Sequence, residues 1–297
     1  MTAVRREGLT IAEGLSEAAG SLRAAGIAEP RREAATLLMH ALARDRAFLF
    51  AHDDERLGDE DFARFRRAVE RRAAGEPSQY ITGRQEFYGL EFEVTPDVLI
   101  PRPETELLVE TALELLMPEE SPAVCDVGTG SGCVAVAVLH ERADARAVGL
   151  DISPAALRVA GRNAARHGVA ARLRLLHSDC FDALRAEGRD DEDARFRMIV
   201  SNPPYVAEQD IAGLQREVRD HEPRAALTPG GDGLRVVRRL VAESPDFLLP
   251  GGHLLFEIGF NQHEQVAALI NPRTWTRLDT LRDLQGIPRT VVLRLAN

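Results

Sequence analysis

From residue 123 onward, short apolar strands alternate with amphipathic helices. Such a succession of βα units predicts an α/β fold with a mostly parallel, Rossmann-like sheet and helices on both faces. The last two strands are joined around Gly286, so we expect an antiparallel hairpin at one edge of the sheet. The predicted strands are 123–127, 147–150, 173–176, 198–200, 253–258, 275–281 and 290–295.

The first 75 residues lack this alternation and show helical periodicity instead. Apolar residues from Ile11 to Leu22 recur at helical spacing, and Pro30 opens a second amphipathic run. We interpret this region as a small helical bundle for packing or interaction, without chemistry of its own. The predicted domains are this helical bundle over 1–78, a β-hairpin linker over 79–97 and the α/β domain over 98–297.

The charge distribution bears on the class of partner. The net charge is −10, yet residues 1–75 hold 13 arginines and 13 acidic residues, so the whole deficit falls on the remainder. Nucleic-acid binders usually present a basic face to the phosphates. An acidic catalytic part therefore makes direct nucleic-acid binding unfavourable, while leaving it open.

Targeting and metal signals are missing from the sequence. No apolar run approaches the roughly 18 residues that cross a bilayer, and residues 1–8 do not read as a signal peptide. The three cysteines fit no zinc spacing and the eight histidines form no cluster, so we expect no metal site. We expect reduced thiols, a cytoplasmic protein, no membrane attachment and a monomer.

A glycine-rich loop follows the strand at 123–127 and enters the next helix. Glycines let the backbone turn tightly and approach a ligand, and the helix N-terminus presents free N–H groups to it. The G-x-G-x-G spacing suits either S-adenosylmethionine or a dinucleotide, so this motif alone leaves both open. The candidate cofactor-binding residues of the loop are Gly128, Thr129, Gly130, Ser131 and Gly132.

Acidic residues end the next two predicted strands. Asp151 lies 23 residues after Gly128, where a carboxylate can accept both hydroxyls of an adenosine ribose. Asp179, followed by Cys180, ends the third strand beside the expected adenine position and can accept from the adenine amine. Either acid alone could be a helix cap or a solvated strand end. Polar groups at successive carboxyl ends of strands favour a ligand site.

The strand at 198–200 leads into Asn202, Pro203, Pro204 and Tyr205. The prolines fix φ near about −65° and remove two N–H donors, which leaves a rigid corner. The Asn202 side-chain oxygen and the Pro203 carbonyl can each accept one proton of a planar NH₂ group, and Tyr205 can stack on that group. With the glycine loop and the strand-end acids, this corner predicts methyl transfer from S-adenosylmethionine, with S-adenosylhomocysteine as product.

Further motifs extend this pattern over roughly residues 75–260. They are Gln79-Tyr80-Ile81-Thr82-Gly83, Ile100-Pro101-Arg102-Pro103-Glu104-Thr105-Glu106, Glu222-Pro223-Arg224-Ala225-Ala226-Leu227 and Phe256-Glu257-Ile258-Gly259. Together they resemble the HemK/PrmC protein-glutamine methyltransferases. The resemblance implies methylation of the side-chain N5 of the glutamine in the Gly-Gly-Gln motif of peptide chain release factors, with the helical domain helping to hold the release factor.

The resemblance also implies residue roles. The corner from Asn202 to Tyr205 would bind the glutamine amide, with Asn202 bordering the cofactor too, and the glycine loop with Asp151 would hold the cofactor. Cys180 departs from the pattern, because some relatives place an aromatic residue there. Whether Cys180 or Phe181 lines the adenine pocket is open at this point.

Three other functions fit parts of the sequence. A ribosomal-protein glutamine methyltransferase would use the same chemistry on another protein. A DNA or RNA methyltransferase acting on adenine N6 or cytosine N4 would use the same corner on a flipped or single-stranded base. A non-catalytic protein could retain the fold only.

Overall fold

We analysed a computed structural model of the chain, which describes residues 9–188 and 195–296. The chain divides into two compact units, one helical and one built on the large sheet. The helical unit comprises the described residues up to Gly83 together with Gln215–His221, a segment that the sequence analysis assigns to the catalytic domain. The larger unit comprises Arg84–Leu214 and the residues from Glu222 onward, including the β-hairpin.

The helical unit is held by an apolar core. Its first helix begins with a capping box, in which Thr10 and Glu13 satisfy each other's backbone N–H groups. Leu22, Leu37 and Leu38 are fully buried between the helices. The helices of this unit are α1 (Ile11–Ala24), α2 (Pro30–Leu42), α3 (Arg46–Ala51), α4 (Asp59–Ala73), α5 (Ser78–Thr82) and α10 (Arg216–His221).

A buried arginine joins three of these helices. Arg72 of α4 is only 4% exposed. Its Nη2 donates to Glu217 Oε2 of α10 at 2.6 Å, and its Nε donates to Glu33 Oε2 of α2 at 3.1 Å. Its Nη1 donates to the Glu76 carbonyl at 3.3 Å. The guanidinium thus attaches the segment Gln215–His221 to the bundle.

The larger unit contains a β-hairpin and a seven-stranded sheet. The hairpin consists of β1 (Arg84–Phe87) and β2 (Leu90–Glu93), and the sheet consists of β3 (Ala123–Val127), β4 (Arg146–Asp151), β5 (Leu173–His177), β6 (Phe196–Ser201), β7 (Leu248–Glu257), β8 (Trp275–Arg282) and β9 (Pro288–Leu295). The order of the strands in the sheet is β5-β4-β3-β6-β7-β9-β8. The neighbours among β3 to β7 are parallel, and β9 is antiparallel to both β7 and β8. The predicted mostly parallel sheet with an antiparallel C-terminal hairpin is therefore confirmed.

The sheet separates two apolar cores. Val124 and Met198 pack into one core, whereas their neighbours Cys125 and Ile199 pack into the other. This alternation follows from the two-residue period of a strand. The first core is covered by α6 (Glu106–Leu116), α7 (Cys133–Glu141) and α8 (Pro154–Arg166), and the second by α9 (Asp182–Ala186), α12 (Arg235–Glu243) and α13 (His263–Ala267); α11 is Arg224–Leu227.

None of the helices that the structure describes is long and apolar enough to cross a bilayer.

We expect Arg72→Leu to lower the free energy of unfolding by about 2 to 3 kcal/mol, because it leaves two carboxylates beside an apolar side chain. The loss stays below that of a fully buried pair, since the Glu217 side chain is 36% exposed. Urea unfolding measures the change. Arg66→Leu is the control, because its ion pair with Glu70 is exposed and contributes within about 0.5 kcal/mol. Equal losses in both variants would contradict the structural role of Arg72.

Candidate active site

A cavity of about 250 Å³ lies at the carboxyl ends of β3, β4, β5 and β6. Its volume is close to the lower end of the range of about 300 to 1,000 Å³ that is typical of small-molecule sites. The structure places most of the predicted site residues in its wall, but neither Gly132 nor Tyr205. Those in the wall are Gly128, Thr129, Gly130, Ser131, Asp151, Asp179, Cys180, Asn202, Pro203 and Pro204.

The glycine loop is held by the neighbouring strand. The N–H groups of Gly128 and Thr129 both donate to the carbonyl of Leu150, at 2.8 and 2.9 Å. Gly132 has φ +80°, and a Cβ there would lie 3.1 Å from Ala160 Cβ. Gly132 therefore allows α7 to pack closely against α8, and it lies outside the cavity wall.

Asp151 both fixes the loop and faces the cavity. Its Oδ2 accepts from the Gly130 N–H at 2.8 Å, and its Oδ1 accepts from the Ser153 N–H at 2.8 Å. Burial raises the pKa of this carboxyl. Each oxygen has a further lone pair, so the carboxylate can still accept from ligand hydroxyls.

Asp126 is a cavity residue that the sequence analysis did not select. It is 2% exposed, and its Oδ2 accepts from Thr129 Oγ1 at 2.7 Å and from the Ala135 N–H at 3.3 Å. Burial raises its pKa to about 6. The available signal was an acidic residue inside an otherwise apolar strand, where a carboxylate is costly unless it has partners.

Asp179 and Cys180 follow β5 and line the same cavity. The Asp179 carboxylate is paired with Arg239 at 3.0 Å and with Arg235 at 3.9 Å. Cys180 is buried with φ +48° and lines the cavity, and burial raises the pKa of its thiol to about 12. Phe181 is fully buried and stacks on Phe247. Of these two residues, Cys180 is therefore the one that lines the cavity.

The corner at Asn202 begins beside the glycine loop. The Ser201 hydroxyl donates to the carbonyl of Val127 at 2.6 Å, across the parallel pair of β6 and β3. Asn202 follows at once and borders the cavity together with Pro203 and Pro204. The Asn202 corner and the candidate cofactor loop therefore border one cavity.

The far end of the corner is packed closely. The Tyr205 carbonyl accepts from Gln262 Nε2 at 2.8 Å. A Cβ at Gly233, which has φ +81°, would lie 2.3 Å from the same carbonyl oxygen, so only glycine fits there. A Cβ at Gly259 would lie 3.0 Å from the Tyr205 ring. These contacts add to the stiffness of the two prolines.

Asn202 and Tyr205 are linked through a buried carboxylate. Asn202 Nδ2 donates to Thr105 Oγ1 at 2.9 Å, and Thr105 Oγ1 donates to Glu257 Oε2 at 2.8 Å. The Tyr205 hydroxyl donates to Glu257 Oε1 at 3.2 Å. Burial raises the pKa values of both Glu257 and Tyr205. Thr105 and Glu257 were absent from the predicted site, although both lie in motifs quoted above.

The cavity wall suits S-adenosylmethionine. Three carboxylates line the cavity, those of Asp126, Asp151 and Asp179, and they provide acceptors for a cationic, hydroxyl-bearing and amine-bearing ligand. Among the residues that the structure describes, no group of three or more His, Cys, Asp or Glu side chains could hold a metal ion.

Comparison with known proteins agrees with both units. Residues 13–83 match the family model "PrmC N-terminal domain", and residues 103–239 match "Methyltransferase small domain". A release factor glutamine methyltransferase of Koribacter versatilis is 44% identical, over 96% of this chain and 99% of its own length. Proteins of that name from Cereibacter sphaeroides (46%; 96% and 98%) and Geobacter sulfurreducens (44%; 95% and 95%) are similar.

We expect S-adenosylmethionine to bind about tenfold more weakly at about pH 5 than at about pH 7. The pKa of Asp126 is about 6 in the free protein, so its charge is present above that value and lost below it. The cofactor carries ammonium and sulfonium groups, which attract the charged form. Titration calorimetry at the two pH values measures the ratio.

Asp126→Asn should flatten this pH dependence. Asp144→Asn should leave it unchanged, because Asp144 lies outside the cavity wall and Arg142 lowers its pKa to about 2. Equal wild-type affinities at both pH values would refute the electrostatic role of Asp126.

Proposed function

Because the chain belongs to the release factor glutamine methyltransferase family, we infer that it transfers a methyl group from S-adenosylmethionine to a glutamine side chain of a release factor. We propose the N5 amide of the Gly-Gly-Gln motif as the acceptor. The observation that carries the proposal is the single cavity bordered both by the glycine loop and by the Asn202 corner.

We propose that the glycine loop, Asp151, Asp179 and Cys180 hold the cofactor. Asp151 would accept from the ribose hydroxyls, and Asp179 from the adenine amine, for which its pairing with Arg239 leaves further lone pairs. When bound, the cofactor supplies a methyl group on a sulfonium sulfur, which becomes the neutral thioether of S-adenosylhomocysteine as the new N–C bond forms.

The corner orients the acceptor. An amide nitrogen is a poor nucleophile, because its lone pair is delocalised into the carbonyl. In the proposed complex, Asn202 Oδ1 and the Pro203 carbonyl each accept one of its two protons, which aligns the nitrogen and raises its electron density. The nitrogen forms one bond to carbon and releases one proton to solvent, so the product is the N-methyl amide.

Tyr205 receives a different role from the stacking that the sequence suggested. Its hydroxyl donates to Glu257, and it is not part of the cavity wall. We therefore propose that Tyr205 positions the corner, while contact with the glutamine amide falls to Asn202 and Pro203.

The proposed partner and location follow from the same inference. Release factors act on ribosomes, so we propose a cytoplasmic enzyme, which agrees with its three free cysteines. We further propose that a monomer suffices for activity, because one chain supplies both the cofactor loop and the acceptor corner.

We expect Asn202→Ala to remove methyl transfer while cofactor affinity stays unchanged, because Asn202 supplies one of the two acceptors for the amide protons. The measurement is the gain of one methyl mass on a release factor incubated with enzyme and cofactor, alongside calorimetric titration of the cofactor. Asn271→Ala, exposed and outside the cavity wall, should retain both activities. Loss of cofactor binding in Asn202→Ala would place Asn202 in the cofactor site instead.

A second experiment separates the protein and nucleic-acid acceptors. With a cofactor labelled in the methyl group and a lysate from cells that lack the enzyme, we expect label in release factors and none in DNA or RNA. The net charge of −10 disfavours a nucleic-acid surface. Label in ribosomal protein instead would support the ribosomal-protein alternative, and label in nucleic acid alone would exclude the proposed function.

A further inference from the structure

Glu257 is a buried carboxylate at the end of β7, only 2% exposed. Two hydroxyl groups donate to it, one from Thr105 and one from Tyr205. Removing a carboxylate from water is costly, and an apolar residue would suit the end of a buried strand better. A charge retained here calls for a role that an apolar side chain could not perform.

The number of available protons determines the direction of the hydrogen bonds from Asn202 through Thr105 to Glu257. A threonine hydroxyl has one proton to donate. The Thr105 hydroxyl uses this proton in its hydrogen bond to Glu257 Oε2. Toward Asn202, the Thr105 oxygen must therefore act as the acceptor. The Asn202 amide must then turn Nδ2 toward Thr105, which leaves Oδ1 as the acceptor for a ligand.

The reverse direction would disable the corner. If Thr105 donated to Asn202 instead, the amide would flip and present Nδ2 to the acceptor nitrogen. Two N–H groups would then oppose each other, and the glutamine amide would lose one of its two acceptors. The carboxylate at 257 prevents this, because it accepts and does not donate.

We propose that Glu257 is a positioning residue for methyl transfer: through Thr105, its carboxylate fixes the Asn202 amide with Oδ1 available to the substrate nitrogen. The hydrogen bond from Tyr205 fixes the carboxylate from its other side. This inference rests on the proposed function. It gives a role to Thr105 in the Pro-Glu-Thr motif and to Glu257 in the Phe-Glu-Ile-Gly motif.

The test compares two variants at Thr105 with a matched control. Thr105→Val keeps the shape but removes the hydroxyl, whereas Thr105→Ser keeps the hydroxyl. Thr111→Val is the control, because Thr111 is also a buried threonine and its hydroxyl donates within its own helix, to the carbonyl of Leu107 at 2.7 Å. The readouts are kcat on a release factor at saturating substrates and cofactor affinity by calorimetry.

We expect Thr105→Val to lower kcat on the order of 10²-fold, as for a misplaced catalytic group, with cofactor affinity unchanged. Thr105→Ser should recover most of the activity, and Thr111→Val should match the wild type. As a single variant, Glu257→Gln should lower kcat. Combined with Thr105→Val it should add no further loss, because both substitutions act on Asn202 through the same hydrogen bonds.

Three results would overturn the inference. They are wild-type kcat in Thr105→Val, an equal defect in Thr105→Ser and Thr105→Val, or losses from Glu257→Gln and Thr105→Val that multiply. If the wild-type chain itself fails to methylate the release factor, the proposed function fails and the inference falls with it. If the wild type is active and Thr105→Val is equally active, the inference about Glu257 fails while the proposed function stands.

Discussion

The parallel pairing of β3 with β6 is the interaction on which the site depends. In this register Asp126 lies beside Val200, and the Ser201 hydroxyl donates to the Val127 carbonyl at 2.6 Å just past the paired residues. Each strand ends in one half of the site, the glycine loop on β3 and the Asn202 corner on β6. The backbone hydrogen bonds of the sheet therefore hold the glycine loop and the Asn202 corner at adjacent points, which in the proposed function aligns the methyl donor with its acceptor.

The corner on β6 needs support from remote elements, because its two prolines contribute no N–H groups of their own. Gln262 holds one end through the Tyr205 carbonyl, and Thr105 holds the other through the Asn202 side chain. Glu257 connects the two ends beneath them. The result is a rigid corner whose stiffness comes from buried hydrogen bonds as much as from the prolines. Catalysis by positioning depends on stiffness of this kind.

The fold and most residues of the cavity wall could be predicted from local patterns in the sequence. Strand and helix periodicities give the sheet and its hairpin, and Asp151 and Asp179 could be found because the carboxyl ends of parallel strands meet at one edge. Contacts between distant residues could not be found this way. Thr105 and Glu257 are 152 positions apart, and Arg72 and Glu217 are 145 apart. Such partners are determined by tertiary packing, which leaves no periodic signal. Asp126 differs, because an acidic residue inside an apolar strand is itself a signal of a buried, partnered carboxylate.

The proposed binding of the glutamine amide at the Asn202 corner is tested most directly by a crystal structure of the chain with S-adenosylhomocysteine and a peptide that spans Gly-Gly-Gln. We expect the glutamine amide nitrogen about 3 Å from both Asn202 Oδ1 and the Pro203 carbonyl, with Asn202 Nδ2 still donating to Thr105. A glutamine amide bound elsewhere in the cavity, or an Asn202 amide turned to present Nδ2 to the peptide, would contradict it.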